Sequence, residues 1–232
     1  DRGFSVRGSD AAESIFTNKL RANGIPVSIG GNEEIFEENV VYTGAIGEDD
    51  VQLRAAKAAG KRLFTRAELL GKIAEGYPHT VSVAGCHGKT STTSMLAHVF
   101  RSGSRAFCCH IGGEDLDFGN YFSAGDDYFI TEACEFRKSF LSLNSDVALI
   151  LNTDRDHTDC YRSDRELLEA YRTFAAQSSR VAVNAVDCRA FEIPHDVGFG
   201  FRAGEIRAEK PTSEGEKYSF TVTEHGIPIV RV

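Results

Sequence analysis

The chain has 232 residues, 41% apolar, 10% aromatic and 26% charged, a balance that excludes a disordered chain and a membrane protein and leaves one large or two small soluble domains. Its 26 Lys and Arg face 34 Asp and Glu, and the net charge of -8 excludes a general nucleic-acid surface, which needs a positive excess to displace counterions from phosphate. No apolar run reaches the roughly 18 residues of a membrane span, and the six cysteines (Cys86, Cys108, Cys109, Cys134, Cys160, Cys188) include no C-x-x-C pair, so a cytoplasmic protein with free thiols is expected.

The opening Asp1-Arg2-Gly3-Phe4 is not a signal peptide, and it leads straight into a predicted strand, Gly3 to Val6, as if the chain began inside a domain. Ala12 to Asn23 follows as a helix, with Ile15, Phe16 and Leu20 on one face. Strands are predicted at Val27 to Ile29 and Asn39 to Thr43, then helices at Asp49 to Ala59 and Thr65 to Glu75. Thr65 and Glu68 have the spacing of a capping box, in which each side chain satisfies a free N–H of the other's backbone.

Gly76-Tyr77-Pro78-His79 breaks this helix, because proline lacks an N–H and disfavours helical geometry in the residue before it. The domain boundary is placed there, giving domains 1–77 and 78–232. The second series has short apolar strands at Thr80 to Ala84, Tyr128 to Thr131, Val147 to Leu151 and Val181 to Val183, compact enough for a buried parallel sheet. A helix is predicted from Ser163 to Gln177. Tyr218 to Thr223 and Pro228 to Val232, joined by Glu224-His225-Gly226, form a hairpin. Strands alternating with helices define an α/β fold in both parts.

Gly85-Cys86-His87-Gly88-Lys89-Thr90 is the strongest local motif, since a strand before it and a helix after it are what a phosphate-binding turn needs. The glycines let backbone N–H groups turn toward phosphate oxygens, and the helix directs its N-terminal dipole at the same anion. Lys89 is assigned to the β- and γ-phosphates and the Thr90 hydroxyl to Mg2+. Gly85 and Gly88 are closer together than in the common G-x4-G-K-T loop, which points to a particular subclass. Two polar clusters close later strands: Glu132 and Glu135 after Tyr128 to Thr131, and Asn152 to Asp159 after Val147 to Leu151. The carboxyl ends of parallel strands form the ligand crevice, so both belong beside the loop. Glu132, a hard oxygen donor, and His157, a neutral nitrogen donor, are the candidate metal ligands there.

Together these residues resemble the Mur ligase family. Val83 to Thr93 is similar to its short ATP loop, including His87; Glu132-Ala133-Cys134-Glu135-Phe136-Arg137 is similar to the E-A-C-E-Y-R stretch of Gram-positive members; and Leu151 to Asp159 is similar to its T-N-x-x-x-D-H-x-D segment. Gly8-Ser9-Asp10 and Thr43-Gly44-Ala45-Ile46 resemble its uridine-nucleotide elements. The resemblance is strongest to the branch that joins L-alanine to UDP-N-acetylmuramate in cell-wall precursor synthesis. It implies an ATP- and Mg2+-dependent amide-forming ligase that phosphorylates the muramate carboxylate and lets the amine of L-alanine attack the acyl phosphate.

By this resemblance Gly85, Cys86, His87, Gly88, Lys89, Thr90 and Ser91 hold ATP, and Lys89, Glu132 and His157 form the catalytic set. Thr90 holds one Mg2+ and Glu132 and His157 a second, and Ser9, Asp10, Ala45, Ile46 and Arg137 face the UDP-sugar. The first part is then a Rossmann-like domain lacking its first strand, and the second a P-loop-type central domain. The family's first strand and glycine-rich turn are expected before Asp1 and its third domain after Val232, so this chain alone is expected not to ligate. Arg7 and Gly44 depart from the family's small residue and serine. A nucleotide-binding module without ligase activity and the sister ligase that recycles tripeptide are the competing expectations.

Overall fold

The computed structural model describes residues 3–31, 37–154, 160–187, 189–201, 203–215 and 217–232. Two compact units emerge, Asp1–Leu69 and Leu70–Val232.

In the first unit, strand β1 (Gly8–Asp10) lies parallel to β2 (Val27–Ile29), with helix α1 (Ile15–Ala22) between them in sequence. Ser14 caps α1 through a reciprocal pair with Thr17. Strand β3 (Asn39–Tyr42) lies parallel to β4 (Arg62–Thr65), and α2 (Val51–Ala58), capped by Asp50, connects them. Helix α3 (Arg66–Ala74) follows, and the capping box is present: the Glu68 carboxylate accepts from Thr65 N at 2.7 Å while Glu68 N donates to Thr65 Oγ1 at 3.2 Å. The first strand is displaced from its expected place. Gly3 to Val6 is irregular, with Phe4 81% and Val6 55% exposed, because β2 pairs with Gly8–Asp10 instead.

The second unit is built on ten strands among the described residues. They are β5 (His79–Ala84), β6 (Phe107–Asp115), β7 (Gly119–Ser123), β8 (Tyr128–Ala133), β9 (Val147–Ile150), β10 (Arg180–Asn184), β11 (Val197–Gly200), β12 (Ile206–Glu214), β13 (Lys217–Glu224) and β14 (Ile227–Arg231). Their order in the sheet is β14-β13-β12-β11-β10-β9-β5-β8-β6-β7. From β12 through to β6 the neighbours are parallel; β7, β13 and β14 add antiparallel edges. This is the α/β class the alternation predicts, with the terminal hairpin in place. Strands β6, β7, β11 and β12 were not expected. Gly112 and Gly113 interrupt the apolar pattern of β6, and Lys210-Pro211 that of β12, which weakens the strand signal in each.

Helices α4 (Lys89–Ser102) and α5 (Asp164–Ala176) pack on this sheet, and Leu70 and Ala74 of α3 join its larger core cluster. Helix α5 buries Leu167, Ala170, Tyr171 and Phe174, spaced at three or four residues, and Phe174 stacks on Phe140 at 5.0 Å between ring centres. Ala97 of α4 joins a separate cluster with Phe107, Ile111 and Ile130. No helix among the described residues is long and apolar enough to cross a membrane.

Candidate functional site

Strand β5 lies between β9 and β8, and Ala84, its last residue, is in register with Ile150 of β9 and Ala133 of β8. The three chains therefore leave the sheet together, on the edge where open parallel sheets bind ligands. The loop after β5 is Gly85 to Gly88. Gly85 adopts φ 141°, and a Cβ there would come within 3.0 Å of Leu151 Cβ, so only glycine fits. Asn152, two residues beyond β9, grips the loop in both directions: its Oδ1 accepts from His87 N and its Nδ2 donates to His87 O, each at 2.9 Å. Cys86 is buried, its sulfur reaching the Asp154 carbonyl, while the His87 side chain is exposed. Cys86 thus anchors the loop to the core.

Helix α4 starts at Gly88, a cap residue in the left-handed region at φ 79° with no side-chain bond to the first turn. No side chain caps the N–H groups of its first turn, and no acidic residue stands in that turn. Thr90 and Ser91 are exposed at this mouth. Lys89 folds back over the loop: its Nζ donates to the carbonyls of Gly85 and Cys86 and to Glu135, with Oε2 at 3.0 Å and Oε1 at 3.3 Å. The Glu135 side chain is fully buried and that of Lys89 is 13% exposed.

Glu132, in β8, is fixed by a backbone donor: Gly112 N of β6 gives its hydrogen to Oε1 at 2.6 Å. Oε2 carries no hydrogen bond among the described residues. A Cβ at position 112 would lie 2.7 Å from that oxygen, and one at the adjacent Gly113 would lie 3.0 Å from the Thr90 methyl. The glycine pair brings Thr90 and Glu132, two of the expected metal-holding residues, to one strand. An exposed hydroxyl and a carboxylate with an open oxygen are hard donors that suit Mg2+. The third, His157, lies outside the described residues, as do Arg155, Asp156, Thr158 and Asp159.

Beyond Glu135 the chain makes an unusual turn. Arg137 and Lys138 both adopt left-handed backbone, at φ 49° and 59°, a conformation that side chains with a Cβ disfavour. Arg137 is exposed, its guanidinium 5.5 Å from the Phe136 ring. The turn delivers the Glu135 carbonyl to Tyr161 Oη, which donates to it at 2.5 Å. Burial, and then the negative charge of Glu135, raises the hydroxyls of Tyr161 and Tyr171 above the usual tyrosine range, so both stay protonated.

In the first unit, Ser9 Oγ donates to Gln52 of α2 at 2.5 Å, and Asp10 Oδ1 accepts from Ala12 N at 3.3 Å. Ala45 N donates to Thr43 Oγ1 in the turn after β3. Of the two expected uridine elements, Gly8–Asp10 is thus strand β1 itself and Thr43 to Ile46 follows β3, a strand of the other two-stranded sheet.

Sequence reasoning assigned no role to Glu135, Asn152, Gly112 or Gly113. Glu135 and Asn152 stood inside quoted motifs, and that position was their only signal. The glycines had none, because the strand carrying them was not foreseen.

Residues 1–78 match the family model described as Mur ligase family, catalytic domain, and residues 83–227 match the Mur ligase middle domain. A UDP-N-acetylmuramate–L-alanine ligase of Clostridium botulinum strain Alaska E43 is 42% identical over 235 residues, covering 96% of this chain and 51% of that protein. The like-named protein of Clostridium acetobutylicum is 36% identical, over 90% of this chain and 48% of its own length. The chain therefore spans about half the length of these curated relatives. Among solved structures, the UDP-N-acetylmuramate-alanine ligase of Thermotoga maritima superposes with a TM-score of 0.88 at 23% identity, over 98% of this chain and 54% of that one. The UDP-N-acetylmuramate:L-alanyl-gamma-D-glutamyl-meso-diaminopimelate ligase of Neisseria meningitides gives 0.86 at 23% identity, over 99% and 79%. Both establish the same fold.

Proposed function

The chain belongs to the Mur ligase family, and we propose that it serves a cytoplasmic, ATP-dependent ligase that joins L-alanine to UDP-N-acetylmuramate. Residues 78–232 are the ATP-binding part and residues 1–77 the part that seats the uridine nucleotide through Ser9, Asp10, Ala45 and Ile46. The observation that carries this reading is the uncapped start of α4, with the Lys89 ammonium at the same loop and Glu132 on the neighbouring strand. Phosphoryl transfer needs little from a protein beyond placing the reactants and neutralising charge, and this edge is equipped for both.

In the proposed reaction the muramate carboxylate attacks the γ-phosphorus, releasing ADP and leaving an acyl phosphate. The amine of L-alanine then attacks the acyl carbon and phosphate departs. The first-turn N–H groups of α4 receive phosphate oxygens, and Lys89 sets its charge beside them. Thr90, Glu132 and His157 are the residues that would hold Mg2+, which when bound neutralises phosphate charge. The hydrogen bond from Gly112 N keeps the Glu132 carboxylate from rotating away, and Arg137 stands ready for an anionic substrate.

The test is ADP release by the whole protein supplied with ATP, Mg2+ and UDP-N-acetylmuramate, with L-alanine or the L-alanyl-γ-D-glutamyl-meso-diaminopimelate tripeptide as acceptor. Release that depends on L-alanine is the expected result. Release that follows the tripeptide reassigns the acceptor, and ATP binding without product under either condition reduces the protein to a nucleotide-binding module.

A further inference from the structure

We propose that Glu135 is a positioning residue of the phosphate loop: its buried carboxylate is the resting counter-ion of Lys89, and a nucleotide phosphate has to compete with it for the ammonium group. The proposal rests on the reading of Gly85 to Ser91 as an ATP site.

An ammonium has three hydrogens to give, and here the acceptors around Lys89 Nζ are the carbonyls of Gly85 and Cys86 and the Glu135 carboxylate. A phosphate that engages Lys89 must therefore displace one of them. The two carbonyls belong to the loop itself and are held there by Cys86 and the Asn152 clamp. Glu135 is the one anion of the three acceptors, so it is the acceptor that a second anion approaching Lys89 repels.

The location of Glu135 is itself specified. Its side chain is fully buried, and a carboxylate is kept in such a place only with a positive or hydrogen-bonding partner. Its backbone is pinned by Tyr161 Oη and Lys138 N, both donating to the Glu135 carbonyl, and by Phe140 N, which donates to the Cys134 carbonyl at 2.8 Å. The left-handed pair Arg137 and Lys138 makes this turn possible. Strained backbone two residues after the Glu135 carboxylate that contacts Lys89 indicates that the carboxylate is aimed, since relaxing the turn would swing it off Lys89.

The experiment titrates the whole protein with ATP and Mg2+ by calorimetry and records nucleotide-free melting curves, for wild type, Glu135→Gln, Lys89→Met and the double variant. Glu135→Gln is expected to bind ATP about three- to tenfold more tightly, the competing charge having gone. That gain should vanish in the Lys89→Met background. Without nucleotide, Lys89→Met should lower the midpoint by several degrees, because Glu135 loses its counter-ion, and adding Glu135→Gln should recover much of the loss. Glu135→Asp withdraws the carboxylate by one methylene and should shift affinity in the same direction by less, so the proposal stays testable should the amide variant not fold. A merely structural role for Glu135 predicts weaker or unchanged ATP binding in both variants, and either result overturns the proposal. A gain that persists in the Lys89→Met background also overturns it, because Glu135 would then act on the nucleotide directly. Failure of the wild-type whole protein to bind ATP sinks the ATP reading itself, whereas normal wild-type binding with unchanged variants sinks only the role of Glu135.

Discussion

Helices α4 and α5 belong to the same unit, have similar lengths and begin in opposite ways. Helix α5 is closed by the Ser163 hydroxyl, which accepts from Glu166 N, and carries Asp164 and Glu166 in its first turn. Helix α4 has glycine at the cap, no side-chain bond and no acid there. The first satisfies its own dipole and free N–H groups; the second leaves its dipole without a side-chain cap or an acid, which is what the proposed phosphate site requires. One or two residues at the start of a helix of this sheet therefore decide whether its first turn is closed or left open.

The largest effect expected from disturbing this contrast is at Lys89. Lys89→Ala should lower ATP-dependent turnover by about a hundredfold or more, as when a donor to developing charge is removed. It should also cost about 3–5 kcal/mol of stability, because the buried Glu135 carboxylate is left without its cation. Steady-state kinetics and urea unfolding measure the two separately. Gly88→Asp would set a carboxylate at the start of α4 on left-handed backbone (φ 79°) that a side chain disfavours; ATP affinity should fall about tenfold or more through charge repulsion and distortion of the loop, as a nucleotide titration would show.

On the closed helix the consequences are smaller and confined to stability. Ser163→Ala should cost about 1 kcal/mol in urea unfolding and leave ATP binding unchanged. The smallest effect is a pH dependence. Glu166 accepts from Arg162 N and Lys138 Nζ, and these bonds hold its carboxyl below the ordinary value of 4.5. Its contribution is therefore complete above that value and is lost as the pH falls through the depressed one. Comparing the acid limb of unfolding for wild type and Glu166→Gln should show a shallower decline in the variant.

The strand–loop–helix layout around Gly85 to Thr90 was legible because it is local: a strand, two glycines, Lys89, Thr90 and a helix follow one another in the chain. The capping box of Thr65 and Glu68 was legible for the same reason. That Glu132 belongs beside the loop followed from a topological rule about strand ends, and the register of β5 with β8 agrees with it. The role of Glu135 was not legible. It lies 46 positions from Lys89, and its direction depends on two residues, Arg137 and Lys138, whose left-handed backbone nothing in their side chains announces. The donor that fixes Glu132 is a main-chain N–H, which every residue but proline has, so no side-chain pattern marks Gly112. Gly3 to Val6 shows the opposite error: an apolar alternation existed, but the neighbouring strand pairs further along.

The grip of Asn152 on both backbone groups of His87 has one more consequence. With its middle residue tied to the end of β9 and Cys86 tied to Asp154, the loop has its shape before any nucleotide arrives. Little chain entropy then remains to be lost in the proposed nucleotide binding, which would be spared the cost of ordering that a floppy loop would impose. The molecule has transferred that cost to folding, where the whole sheet shares it.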